Sequence, residues 1–143
     1  MAKISHIGKL VEGVEFWNQL RKKNPEIKPD LSRADLESIN LMGFNLSNAN
    51  LENVNFKNAN LRNANLQNAN LQNANLKGTN LNKAKLYSAN LREANLQASR
   101  LYDAKLYGAN FKSVNLQSAY LRRVGALSTN FEDATFTGAC IED

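Results

Sequence analysis

The sequence predicts an all-β solenoid: a four-sided β-helix of five-residue repeats with an N-terminal α-helical cap. Three observations predict it. A large apolar residue recurs every fifth position from Leu31 to Ile141, a smaller apolar residue usually stands two places before it, and whole words recur twenty residues apart. Of the 23 positions in the five-residue series only Ala126 is not large.

The period excludes both ordinary elements. An α-helix advances about 100° per residue, so residues five apart would spiral around its entire surface. A flat strand alternates its side chains, and an odd period would send every second leucine outward. Both problems vanish if the chain turns a corner once per repeat. The large residue (the centre) and the residue two before it then point inward, and the other three point out.

The corner residues, two after each centre, have suitable chemistry. Gly43, Asn48, Asn53, Asn58, Asn63, Asn68, Asn73 and Gly78 tolerate the positive φ of a type II turn. Ser88, Glu93, Ala98, Asp103 and Arg123 at later corners favour it less. Both turn varieties are therefore expected, with type II concentrated in the first half.

Recurrence sets the number of corners per coil. AKLYSAN at 84–90 returns as AKLYGAN at 104–110. The residue before the centre is Asn or Asp nearly everywhere from Asp30 to Asn80. Its exceptions fall at Lys85, Lys105 and Gly125 and at Arg100, Tyr120 and Cys140, each series stepping by twenty, with Thr135 outside both. Four repeats per coil stack these positions directly, at the roughly 4.8 Å spacing of neighbouring strands. The repeats then make nearly six coils, a rod about 25–30 Å long.

The run ANLENVNFKNANLRNANLQNANLQNANL at 49–76 resembles the pentapeptide-repeat family, whose consensus is A-(D/N)-L-x-x. The resemblance covers residues 30–143 and implies a right-handed quadrilateral β-helix of pentapeptide repeats; the handedness comes from the resemblance alone. The opening GVEFWNQLRKKNPEIKPDLSRADL at 13–36 resembles the lead-in of cyanobacterial members.

Residues 1–29 read as helix and lead-in cap, and 30–143 as the β-helix. Ile4, Ile7, Val11, Val14 and Trp17 stand at helical spacing with Leu10 and Leu20 alongside, predicting a helix over 4–23 that ends near Asn24, before Pro25. Gly8 and Gly13 weaken it, so its firm part is expected from Lys9. Solenoids need covered ends, and this stripe suits the first coil; a partner-binding helix is the alternative. The far end has no such element, and Phe131 and Phe136 are expected to fill a wider last coil. Its edge would present unpaired backbone groups, so the expected state is a monomer or a weak end-to-end dimer through that coil.

A formal charge of +5 and a pI near 9.4 are mildly basic, short of a dedicated nucleic-acid binder. Cys140 is the single cysteine, which excludes an intrachain disulfide and points to the cytoplasm. The first residues lack a signal-peptide pattern, and no stretch approaches the roughly 20 apolar residues of a membrane span. His6 is the only histidine and Cys140 has no histidine partner in sequence. With no glycine-rich phosphate loop and no metal-ligand spacing, no catalytic, cofactor or metal site is expected.

The outside is more informative. Numbering the sides by their first centres, Leu31, Leu36, Leu41 and Leu46 begin faces one to four. Faces one and two carry asparagine ladders, Asn50-70-90-110-130 and Asn55-75-95-115. Faces three and four collect all four tyrosines and seven of the eleven basic residues between 57 and 123, a stretch with two acids. The candidate interaction surface is Lys83, Lys85, Tyr87, Arg100, Tyr102, Lys105, Tyr107, Tyr120, Arg122 and Arg123. Tyrosine and arginine together suit interface anchors; the bland reading is a solubilising surface.

The expected function is a non-catalytic protein-interaction or scaffold module with an unidentified, acidic protein partner and no membrane role. The alternatives are nucleic-acid binding through the same faces, marked by steep salt dependence, and a gyrase-binding DNA-mimic role. The resemblance suggests the last, but its acidic rod surface is opposite in charge to the middle of this chain.

Overall fold

The computed structural model describes residues 4–142. Two short helices, α1 (Ile4–Leu10) and α2 (Val14–Lys23), precede the coil. From Asp30, parallel bridges join positions twenty apart, Asp30 to Asn50, Asp35 to Asn55, and so on to Tyr120 and Cys140. Twenty residues make one coil, and four repeats make its four sides. Each repeat supplies one bridging residue, because the chain leaves the ladder at every corner.

Within a repeat that has asparagine before its centre every N–H finds an acceptor, which explains the sequence pattern. Around Leu71, the Asn70 N–H donates to Ala49 O in the coil below at 2.9 Å and the Leu71 N–H to Asn90 O in the coil above at 2.7 Å. The Asn73 N–H also reaches upward, to Arg92 O at 3.0 Å, and the Ala74 N–H closes the turn on Leu71 O at 3.0 Å. The remaining donor, the Gln72 N–H, goes to Oδ1 of Asn70 at 3.2 Å. Asparagine before the centre thus completes its own corner. Its amide also steps to the next coil: Asn90 Nδ2 donates to Asn70 Oδ1 at 3.1 Å.

The corners are uniform, which corrects the expectation of two turn varieties. The residue two after the centre has positive φ at Asn48 (60°) and Asn73 (58°), but equally at Ser88 (54°), Glu93 (60°), Ala98 (56°), Asp103 (57°) and Arg123 (57°). Only that central residue is left-handed, so the turns are type II in both halves. A left-handed conformation costs an ordinary residue on the order of 1–2 kcal/mol. Hydrogen bonds to the coils above and below overrule that local preference.

Inside, the centres and the residues two before them are buried from Leu46 through Leu116. Each buried leucine contributes about 1.5–3 kcal/mol, and the stack forms one continuous core that includes Leu10 and Trp17 of the helices.

The single helix expected over 4–23 is broken. Gly13 adopts φ 98°, which no α-helix accommodates, and it caps α2 instead of continuing α1. Leu10 and Trp17 are buried while Val11 and Val14 are exposed, so the predicted stripe is only partly the packed one. The side chain of Ile4 lies outside the described residues.

The helices cover the first coil by supplying side chains where a preceding coil would supply backbone. Trp17 Nε1 donates to Asn45 O at 2.7 Å, Asn18 Oδ1 accepts from Asn45 N–H at 2.8 Å, and Arg21 donates to Ser47 O at 2.8 Å. A second Arg21 nitrogen donates to Ile27 O, and His6 Nδ1 accepts from Asp30 N–H at 2.9 Å. Burial lowers the Arg21 guanidinium pKa, and the charge of Glu26 pulls it the other way. At the far end Phe131 packs on Phe111 and Phe136, with ring centroids 5.4 and 5.5 Å away, and both Phe131 and Phe136 are only partly buried against the core.

Candidate functional site

The twenty-residue register brings the ten candidate side chains onto faces three and four in three groups. The first is the repeated word on face four. Tyr87 and Tyr107 stack with centroids 5.7 Å apart and planes 13° from parallel. The ring centres lie farther apart than the strand spacing. Lys85 and Tyr107 are exposed, whereas Tyr87 and Lys105 are half-buried, so the column is less open than its sequence suggests.

Gly125 makes this arrangement possible. A Cβ there would stand 2.3 Å from the hydroxyl oxygen of Tyr107. The ring leans across the glycine in the next coil, so Gly125 serves space, not a special φ. With Tyr87 on one side and Gly125 on the other, Tyr107 still remains exposed.

The second group is the corner between the faces, where Lys83, Asp103 and Arg123 form one column. Arg123 Nε pairs with Asp103 Oδ1 at 3.1 Å. Its guanidinium also donates to the Tyr102 hydroxyl at 3.3 Å and lies 5.6 Å from the centre of that ring. Arg123 is therefore committed to the fold's own surface, and its charge is partly spent.

The third group lines a groove on face three. Arg100 and Tyr102 flank Leu101 on one strand, and Tyr120 and Arg122 flank Leu121 on the next. Arg100 is bridged to Tyr120 directly above it, and Asp103 N–H donates to Arg122 O at 3.1 Å. The four side chains form a checkerboard, arginines on one diagonal and tyrosines on the other. Tyr120, 55% exposed, is more open than Tyr107 at 38%; Tyr87 and Tyr102 are half-buried.

Three further residues line this groove and escaped the sequence reading: Asn82 below, Cys140 and Glu142 above. Asn82 has a specific task. Arg100 stands where asparagine would accept the Tyr102 N–H, and Asn82 Oδ1 from the coil below accepts it instead, at 2.9 Å. Following two columns through the twenty-residue register, Asn82, Tyr102, Arg122, Glu142 and Arg100, Tyr120, Cys140, would have found them. The chemistry on offer is recognition, with guanidinium donors and phenol rings on a rigid backbone.

A family model described as pentapeptide repeats matches eight copies, over residues 30–68, 59–97 and 89–124. Among solved structures, a trypsin-treated variant of QnrB1, a plasmid-mediated fluoroquinolone resistance protein, aligns with TM-score 0.56 at 21% identity, covering 78% of this chain and 57% of that one. This chain therefore spans little more than half of that protein. HetL, a pentapeptide repeat protein involved in heterocyst differentiation regulation from the cyanobacterium Nostoc sp. strain PCC 7120, is 25% identical over 79% of this chain and 72% of its own, with TM-score 0.41. No curated protein matches the sequence.

Proposed function

This chain belongs to the pentapeptide-repeat family, and from that premise we propose that it is a non-catalytic interaction module that binds an acidic protein through faces three and four. Proteins of the family are right-handed quadrilateral β-helices, so the coil described above winds right-handed. The single observation supporting the reading is the gathering of Tyr87, Tyr102, Tyr107 and Tyr120 with Arg100, Arg122 and the nearby lysines on two adjacent sides of a rigid rod. Exposed lysine and arginine favour a partner of opposite charge and speed its encounter.

Ring geometry favours protein over nucleic acid. Single-stranded nucleic acids bind by stacking bases on open aromatic faces. Here the faces of Tyr87 and Tyr107 are turned to each other and the Arg123 guanidinium lies over Tyr102, which leaves Tyr120 as the one open ring of the four, too few for a run of stacked bases. A DNA-mimic role would need an acidic surface, and the basic faces oppose it. The proposed setting is the cytoplasm, where a lone Cys140 stays reduced.

The test is affinity capture from lysate of the source organism, with and without nuclease treatment, comparing wild type with a Tyr87→Ser/Tyr107→Ser/Arg100→Gln variant. The expected result is a protein held by wild type and lost by the variant at an unchanged melting temperature. Equal capture by both proteins, or capture abolished by nuclease, overturns the reading.

A further inference from the structure

Taking faces three and four as a protein-binding surface, we infer that the face-three groove is the anchor site and that its ligand is an extended peptide with carboxylates at alternate positions, held by Arg100 and Arg122. The checkerboard carries this assignment. Arg100 and Arg122 both point outward, two residues apart across the side and one coil apart along the rod. Strand geometry places their Cα atoms about 8 Å apart, close to the roughly 7 Å between alternate residues of an extended peptide. Arginine side chains absorb the difference and can grip each carboxylate with two parallel N–H donors.

The neighbouring groups leave these two charges available. Arg123 is taken by Asp103 and Tyr102, whereas Arg100 and Arg122 are exposed and in no ion pair among the described residues. The tyrosines complete the site. Tyr102 is fixed by Asn82 at its backbone and by Arg123 at its ring, forming a wall. Tyr120, exposed beside them, is free to pack along the peptide main chain between the two carboxylates. Glu142, one coil above Arg122, repels a third acid at the upper end, so the site selects a short segment with two acids at alternate positions over a long polyanion. That disfavours the long phosphate backbone of a nucleic acid.

The probe is a fluorescein-labelled peptide with a Glu-Val-Glu core in a Ser/Gly chain, followed by anisotropy at about 0.15 M salt, where longer-range attraction is screened. Its Gln-Val-Gln counterpart and an oligothymidylate of similar length are the competing ligands. Wild type is expected to prefer the Glu peptide to both, and Arg100→Gln/Arg122→Gln to weaken it about tenfold or more, as loss of paired charge contacts does. Lys57→Gln/Lys77→Gln, the same charge change on face two, is expected to stay within about twofold, as a screened remote site should. Thermal melts establish that each variant is folded. The assignment is overturned if wild type does not bind the Glu peptide, if both double variants lose equally, or if oligothymidylate binds more tightly. If Lys85→Gln/Lys105→Gln alone abolishes binding, the groove is wrong but the surface reading survives. If no variant on faces three and four matters, both fall.

Discussion

Faces one and two and faces three and four share one backbone and differ in what they show to water. On the first pair, the residue before the centre is asparagine coil after coil, and Asn75 and Asn90 donate to Asn55 and Asn70 below them, both at 3.1 Å. Charges there also pair up the rod, Lys57 with Glu37 at 3.3 Å and Lys112 with Glu132 at 3.0 Å. On the second pair the same position holds Lys85, Arg100, Lys105 and Tyr120, and the amide ladder is interrupted. The main-chain ladder is not: Asn65, Lys85, Lys105 and Gly125 bridge as regularly as Asn70, Asn90, Asn110 and Asn130. Core and main chain therefore hold the rod, and the amide ladder is a refinement. A side that gives it up in several adjacent coils has its outward positions free for recognition.

The largest effect tests the shared core. Leu71 on face one and Leu101 on face three are both fully buried, and Leu→Ala at either is expected to cost about 2–5 kcal/mol, read from urea midpoints. A small loss at Leu101 beside a large one at Leu71 would mean that face three is loosely packed, breaking the comparison. Next comes the corner conformation. Ala98 holds φ 56° without the tolerance of asparagine, so Ala98→Gly is expected to gain up to about 1 kcal/mol, and Asn73→Gly nearly nothing. Equal responses would show that local preference never opposed the turn.

A smaller change repairs the interrupted ladder. Lys85→Asn adds an acceptor for the Tyr87 N–H and a neighbour for Asn65, with an expected gain of at most about 1 kcal/mol. Destabilisation would show that lysine has a structural part on face four. The smallest expected effect is Asn70→Asp, which keeps the acceptor for the Gln72 N–H and for Asn90 Nδ2. A change beyond about 0.5 kcal/mol in thermal unfolding would contradict the view that exposed ladder positions are individually replaceable.

Much of the candidate surface was legible because register was legible. Once AKLY at 84–87 and at 104–107 is stacked, Arg100 must lie beneath Tyr120, and Tyr102 beneath Arg122. What stayed hidden was side-chain commitment. Arg123 reads as one more free cation until it is seen on Asp103 and Tyr102. Gly125 reads as a lapse in the pattern until Tyr107 is found leaning over it. Asn82 looks like an ordinary outward residue, yet it accepts the N–H left over where Arg100 replaced asparagine.

By itself the sequence determined the period, the inward and outward positions and the size of the coil. A five-residue apolar repeat has no other way to bury every leucine, and identical words twenty apart leave one register. Only the tertiary structure decided the corners and the first helix. At Glu93 and Ala98 a left-handed residue is disfavoured locally, and bonds from coils above and below impose it. The helical stripe at 4–23 is broken at Gly13, where the turn brings Leu10 and Trp17 together onto the end of the β-helix core. Both outcomes depend on contacts between residues about twenty or more apart, which local preference does not encode.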